Sequence, residues 1–248
     1  NRISYEGGTP PALSANKATI TLAYLTRNDE AVKFLWTNPE YKFTTGINSQ
    51  DVNYLLEFDN DGANFSSPNK FTVAISKELS RSFTQGDIND ILLNKLLLTP
   101  GVSKFVEVRI KSYLATNAVT LISNVLRFQV TPYAIPPKVT PPANLYIVGS
   151  ATPGSWNNPV PVPSQEFAKI NPTLFEITIN ISAGGSYLFL PVNGSWSAKY
   201  GCLGANNTNN VNGDDFKDGG GDMLAPAVGG NYKIQVDFQR GVFTLTKL

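Results

Sequence analysis

Between Pro132 and Pro142 the chain reads P-Y-A-I-P-P-K-V-T-P-P. Each of the five prolines fixes φ and removes a backbone donor, so the segment favours extended, semi-rigid polyproline geometry. Such a segment suits a connection between domains far better than the middle of a sheet. The expected organisation is therefore two domains, residues 1–133 and 144–248, joined by a Pro-rich linker at 134–143. Both parts have an ordinary domain size.

The first part is dense in strand signals. Ala18 to Leu25, Val32 to Trp36, Tyr54 to Phe58, Phe71 to Ile75, Phe105 to Tyr113 and Leu126 to Val130 are rich in β-branched and aromatic residues and partly alternate. Six or seven short strands predict a sandwich. Asp59-Asn60-Asp61-Gly62 reads as a turn rather than a calcium loop. One short helix is predicted after Thr84, whose T-x-x-D cap with Asp87 precedes Ile88, Ile91, Leu92 and Leu96 at helical spacing. Trp36, inside an apolar strand, is expected to be a buried core indole.

The second part is also strand-rich. Phe175, Ile177, Ile179 and Ile181 alternate with polar residues, as do Tyr232, Ile234, Val236 and Phe238, and the chain closes on a hairpin through Gln239-Arg240-Gly241. Between Asn193 and Asp222, seven Gly, six Asn and four Asp leave little to bury. That stretch is expected to be a long loop, either functional or poorly ordered.

Composition narrows the chemistry. Twenty Lys and Arg against nineteen Asp and Glu leave a formal charge of +1 with no long run of either sign, so neither nucleic acid nor an anionic bilayer is an expected partner. There is no histidine, which removes the commonest general base and zinc ligand together with the Ser/His and Cys/His nucleophile pairs. Catalysis would rest on carboxylates alone. Glu166, Glu176 and Asp237 form no recognisable pair of the kind glycoside hydrolysis needs, so no catalytic residue is assigned and the chain is expected not to be an enzyme. No cofactor and no metal site is expected. Asp214, Asp215, Asp218 and Asp222 lack the spacing of a calcium-binding helix-loop-helix and read as solvated loop acids. Cys202 is alone and reads as a small packing residue.

Two further tryptophans follow turn-forming residues at strand ends, in L-Y-I-V-G-S-A-T-P-G-S-W up to Trp156 and Y-L-F-L-P-V-N-G-S-W up to Trp196. An indole on such a loop suits the apolar C–H face of a pyranose, while fixed polar groups meet the hydroxyl rim. The alternative for both is a hydrophobic cap closing the end of the sandwich. Asn193 is a candidate hydroxyl partner, or else a strand terminator.

Taken in order, F-L-W-T-N-P, the Pro-rich linker, L-Y-I-V-G-S-A-T-P-G-S-W-N, N-G-S-W and the final Y-K-I-Q-V-D-F-Q-R-G-V-F-T-L hairpin resemble the SusE/SusF proteins of Bacteroidetes. The resemblance implies an all-β protein of two β-sandwich domains in tandem, the first immunoglobulin/fibronectin type III-like with one short helix, the second like a carbohydrate-binding module. It implies an outer-membrane, cell-surface lipoprotein of a polysaccharide-utilisation system, held by a lipid anchor outside the sequence given. The first domain would be a spacer, and the second would bind a polysaccharide or oligosaccharide, starch-like or otherwise neutral, without cleaving it. Outer-membrane glycan transporters and lipoproteins would be its partners. By the same resemblance Trp156 and Trp196 are the aromatic platforms and Tyr200 a flanking ring. The lysine that often precedes N-G-x-W in the family is Leu188 here, and Lys199 or Arg240 could supply the basic contact instead. The alternative function is an assembly module that docks a glycan-transporter complex and binds no sugar.

Overall fold

The computed structural model describes residues 2–47, 51–114 and 119–248. They divide into two compact units, Asn1–Ile135 and Pro136–Leu248, each with its own hydrophobic core. The protein is all-β with one short helix.

In the first unit the strands are β1 (Tyr5–Gly7), β2 (Leu13–Ala15), β3 (Glu30–Trp36), β4 (Lys42–Phe43), β5 (Gly46–Ile47), β6 (Asn53–Asn60), β7 (Phe71–Ser76), β8 (Ser80–Thr84), β9 (Lys104–Tyr113), β10 (Leu121–Ile122) and β11 (Leu126–Val130). One antiparallel sheet has the order β2-β3-β8, a second runs β10-β9-β6-β7 with β11 also on β9, and β1, β4 and β5 make a small third sheet. Period-two alternation builds the sandwich core. Val32, Phe34 and Trp36 of β3 face Tyr54, Leu56 and Phe58 of β6 and Val106, Val108 and Ile110 of β9 in one cluster. Phe34 sits edge-on to Phe58, Phe83 and Phe128 at 5.9–6.1 Å between ring centroids.

The helix α1 (Gln85–Asp90) begins at the expected cap. Asp87 N–H donates to Thr84 Oγ1 while Thr84 N–H donates back to Asp87 Oδ2, which is a complete capping box. A wider π turn at Ile91–Lys95 continues it and lets Ile88, Ile91, Leu92 and Leu96 all reach the core. The Asp59–Gly62 turn is present, with Gly62 at φ 79° and Asp61 held by Arg127 at 2.9 Å. Trp36 is a core residue as expected, 4% exposed.

One expected strand is absent. Ala18 to Leu25 is irregular and ends in a 3₁₀ turn at Tyr24–Thr26. Only Ile20 there is fully buried, and a side chain replaces a ladder: Gln85 Oε1 accepts from Ala23 N–H at 3.0 Å and from Thr26 Oγ1 at 2.6 Å. Apolar residues alone did not decide the backbone partner.

The second unit contains β12 (Tyr146–Val148), β13 (Ala168–Asn171), β14 (Leu174–Ile181), β15 (Ser186–Leu190), β16 (Tyr200–Cys202), β17 (Asp214–Asp218), β18 (Met223–Leu224), β19 (Gly230–Asp237) and β20 (Val242–Lys247). They run antiparallel in the order β12-β15-β16-β17-β20-β19-β14-β13, with β18 on β15. The two ends of this sheet also meet. Phe167 N–H donates to Leu145 O at 2.8 Å and Ile147 N–H to Gln165 O at 3.0 Å, just before residues 168–171 pair with β14. The sheet is thereby folded over a single core with its edges joined. Phe175, Ile177 and Ile179 lie opposite Val236, Ile234 and Tyr232 in register, and Tyr187, Phe189, Phe216 and Phe243 close the core from the other layer.

The stretch from Asn193 to Asp222 is not the long loop its composition suggests. It contributes β16 and β17 to the middle of the sheet, with Cys202 and Phe216 buried. Its glycines allow close backbone approach: a Cβ on Gly201 would lie 2.2 Å from the carbonyl oxygen of Gly221. Buried Asn207 imitates a strand neighbour, donating to Leu224 O and accepting from Leu224 N–H. Asp214 caps the connection by accepting from the N–H and hydroxyl of Thr208 and from Asn210 N–H.

Candidate functional site

The two loop tryptophans come together. Trp156 and Trp196 lie with ring centroids 6.3 Å apart and planes inclined at 43°, and they are 37% and 51% exposed. Large aromatic side chains usually bury most of their surface, so a pair left this open is an exposed apolar feature that calls for a partner. Val162 and Val192, on the same two loops, are more than half exposed as well.

Each loop is held by specific hydrogen bonds. In the first, Gly149 N–H donates to Ser155 O at 3.0 Å and Thr152 Oγ1 to Gly149 O at 2.8 Å, which folds residues 149–156 into a tight turn. Gly149 has φ 150° and lies so close to β15 that a Cβ would meet Ser186 O at 2.1 Å. Gln165, 1% exposed, fastens the turn from beneath. Its Oε1 accepts from Gly154 N–H at 2.8 Å and its Nε2 donates to Ile147 O at 2.8 Å.

The loops are also tied to each other. Asn193 accepts from Val160 N–H at 2.7 Å and donates from Nδ2 to Val160 O at 3.2 Å, as a neighbouring strand would. Asn158 Oδ1 accepts from Gly194 N–H at 2.7 Å. Val160 then packs on Val148, Leu188 and Leu190 in a small apolar cluster on the outer side of β15. These contacts set the separation of the indoles before any ligand arrives, which lowers the ordering cost of binding.

The remaining candidates are placed differently. Asn193 uses both ends of its amide on Val160 and so acts as the brace between loops rather than as a group pointing at a hydroxyl. Tyr200 is 8% exposed, with its ring 5.1 Å from Phe238 and 6.0 Å from Phe216, and burial raises its phenol pKa. It belongs to the core and does not flank the indoles. The reason lies in β16, whose pairing with β15 at Phe189 and with β17 at Asp218 turns the ring inward. Lys199 is half-buried, its carbonyl accepts from Gly219 N–H at 2.8 Å, and its ammonium has no partner among the described residues. Arg240 is held in the final hairpin turn by Asp237 at 2.8 Å. Leu188 is 3% exposed and packs with Val160, so its position is roofed by the Trp156 loop.

Two of the acids are already engaged. Glu176 accepts from Gln235 and Lys233, which hold its pKa below the ordinary carboxylate value, and Asp237 serves Arg240. Among the described residues no three His, Cys, Asp or Glu side chains gather where they could hold a metal ion. No described helix is long and apolar enough to cross a membrane. Sequence reasoning found the indoles but not the residues that aim them. Asn158 and Gln165 gave no signal, because their roles depend on backbone groups brought near by folding.

Residues 1–111 match the family described as SusE outer membrane protein. No curated protein matches the chain. Among solved structures, SusF from Bacteroides thetaiotaomicron is similar at 13% sequence identity and a TM-score of 0.46, over 99% of this chain and 52% of that one. The chain thus spans about half the length of that protein. The matched family is one of outer membrane proteins, in agreement with the outer-membrane, cell-surface location that the resemblance implies. It is residues 1–111 that carry the match to the SusE outer membrane protein family, and the indole pair stands beyond them.

Proposed function

We propose that the second unit binds a neutral polysaccharide, starch-like or of another uncharged type, without cleaving it, and that the chain does so at the cell surface as a lipid-anchored outer-membrane protein of a polysaccharide-utilisation system. The observation that carries the reading is the Trp156–Trp196 pair, open to solvent and braced from two loops. Two indoles inclined at 43° present a bent apolar surface, which suits consecutive sugar rings of a curved chain better than a single flat ring. The near-zero net charge favours an uncharged ligand, and the engagement of Glu176 and Asp237 by cations supports binding without hydrolysis. Lys199 is the nearest candidate in sequence for a basic hydroxyl contact. The first unit serves as a spacer, and neighbouring outer-membrane transporter and lipoprotein components are the protein partners.

Affinity electrophoresis through gels containing starch, glycogen, xylan, mannan or β-glucan tests the reading. Retardation by at least one polysaccharide, lost in Trp156→Ala and in Trp196→Ala, is expected. Unchanged mobility in every gel would sink it and leave an assembly role without sugar as the account to pursue.

A further inference from the structure

The second unit has another concavity that shares no residue with the indole pair. It has a volume of about 360 Å³ and is lined by Lys138, Val139, Thr140, Tyr200, Lys217 and Asp218. That size falls near the lower end of small-molecule sites, roughly 300–1,000 Å³. One wall is the end of the Pro-rich segment. It is fixed to the unit because Lys138 N–H donates to Gln239 O and Val139 N–H to Phe238 O, both at 3.1 Å. The other wall is the β16–β17 pair, in which Tyr200 and Asp218 are register partners.

The lining is chemically mixed in a particular way. The Tyr200 ring is fixed on Phe238 and Phe216, while its hydroxyl has no partner among the described residues and is not sealed from solvent. A phenol is a protonated donor at neutral pH, and burial, reinforced by the charge of Asp218, raises its pKa further. Asp218 shares a face of the β16–β17 pair with Tyr200 while Lys217 alternates to the other face, and the Lys138 ammonium lies 3.9 Å from the carboxylate of Asp215, outside the lining. The pocket thus gathers no cluster of a single charge. It offers ammonium and phenol donors, carboxylate and hydroxyl acceptors, and the apolar Val139 side chain within one small volume. That combination complements a sugar, whose adjacent hydroxyls both donate and accept and whose C–H face is apolar.

We propose that this pocket is a second saccharide site, taking one uncharged sugar residue whose adjacent hydroxyls donate to the Asp218 carboxylate and accept from the Tyr200 hydroxyl. The proposal rests on the reading of the second unit as glycan-binding, but on none of the residues that carry that reading. It also gives the docked Pro-rich segment a role, since Lys138, Val139 and Thr140 complete the pocket.

Backbone-amide NMR of the intact chain tests it with maltohexaose, cellohexaose, xylohexaose and mannohexaose as probes, on the wild type and on the Trp156→Ala/Trp196→Ala double variant. At least one probe is expected to give saturable shifts at Thr140, Tyr200, Lys217 and Asp218 in both proteins. In the double variant, Asp218→Asn should then weaken that binding about tenfold and Tyr200→Phe, which keeps the core ring, about fivefold, as for a charged and a neutral hydrogen bond. Shifts confined to the indole loops in the wild type, with none in the double variant, would overturn the second site and leave the first standing. Shifts at the four pocket residues with silent indole loops would support the second site and overturn the first. Silence everywhere with all four probes would overturn both.

Discussion

Trp36 in the first unit and the Trp156–Trp196 pair in the second are the same residue in opposite circumstances. Trp36 lies inside β3, is 4% exposed, and packs against Tyr54 with ring centroids 5.6 Å apart. Its indole N–H and the Tyr54 hydroxyl are both buried without a partner, so the contact is justified by packing alone. The loop indoles contribute little to any core, yet a set of side-chain amides holds them in place. The comparison separates an aromatic that stabilises a fold from aromatics that a fold positions for something else.

The largest effect is expected from breaking the buried side. Trp36→Ala should destabilise the first unit by about 3–5 kcal/mol, read as a shifted denaturation midpoint, while leaving glycan binding by the folded protein unchanged. A small stability change would show that the two classes of indole are not distinct. Next comes Leu188→Lys, which puts a basic side chain where the resemblance led us to expect one. Because Leu188 is roofed by Val160, an unpaired ammonium there should cost about 3 kcal/mol and bring no gain in affinity. Tighter binding by a stable variant would show that the roof opens.

Asn193→Ala removes the brace and leaves the Val160 N–H and carbonyl without their partner. A loss of about 1–3 kcal/mol in stability, with weaker binding despite two intact indoles, is expected from denaturation and titration calorimetry. Trp156→Ala and Trp196→Ala should each change stability by less than about 1 kcal/mol but weaken glycan binding about tenfold or more. The smallest effect belongs to Tyr54. With its buried hydroxyl unpartnered, Tyr54→Phe should be neutral or stabilising by up to about 1 kcal/mol. Burial pushes the Tyr54 pKa up to about 12. The folded state therefore holds its proton longer than the unfolded chain, and the associated stability is present below about pH 10 and lost as pH rises toward 12. Tyr54→Phe should flatten that part of the alkaline unfolding profile.

What could be read from the sequence follows the same division. Strands with period-two alternation, such as Phe175 to Ile181 and Phe105 to Tyr113, were legible because burial of one face writes itself into the residues. The capping box at Thr84 and the exposed indoles after Gly-Ser were legible because each is a local signal. Ala18 to Leu25 misled, since Gln85 rather than a neighbouring strand satisfies the backbone there. The Gly- and Asn-rich run to Asp222 misled in the other direction. In β16, β17 and Asn207, close backbone packing does the work usually done by large side chains. Tyr200 could not be placed without the register that points it at Phe238.

The central claim is that Trp156 and Trp196 themselves meet the sugar. Tryptophan fluorescence of a Trp36→Phe variant reads those two indoles alone, during titration with a polysaccharide that retards the protein in a gel. A saturable change in emission, at the concentrations that cause retardation, is the predicted result. Emission that stays constant while the protein is demonstrably bound would contradict the account, because it would place the sugar away from both indoles.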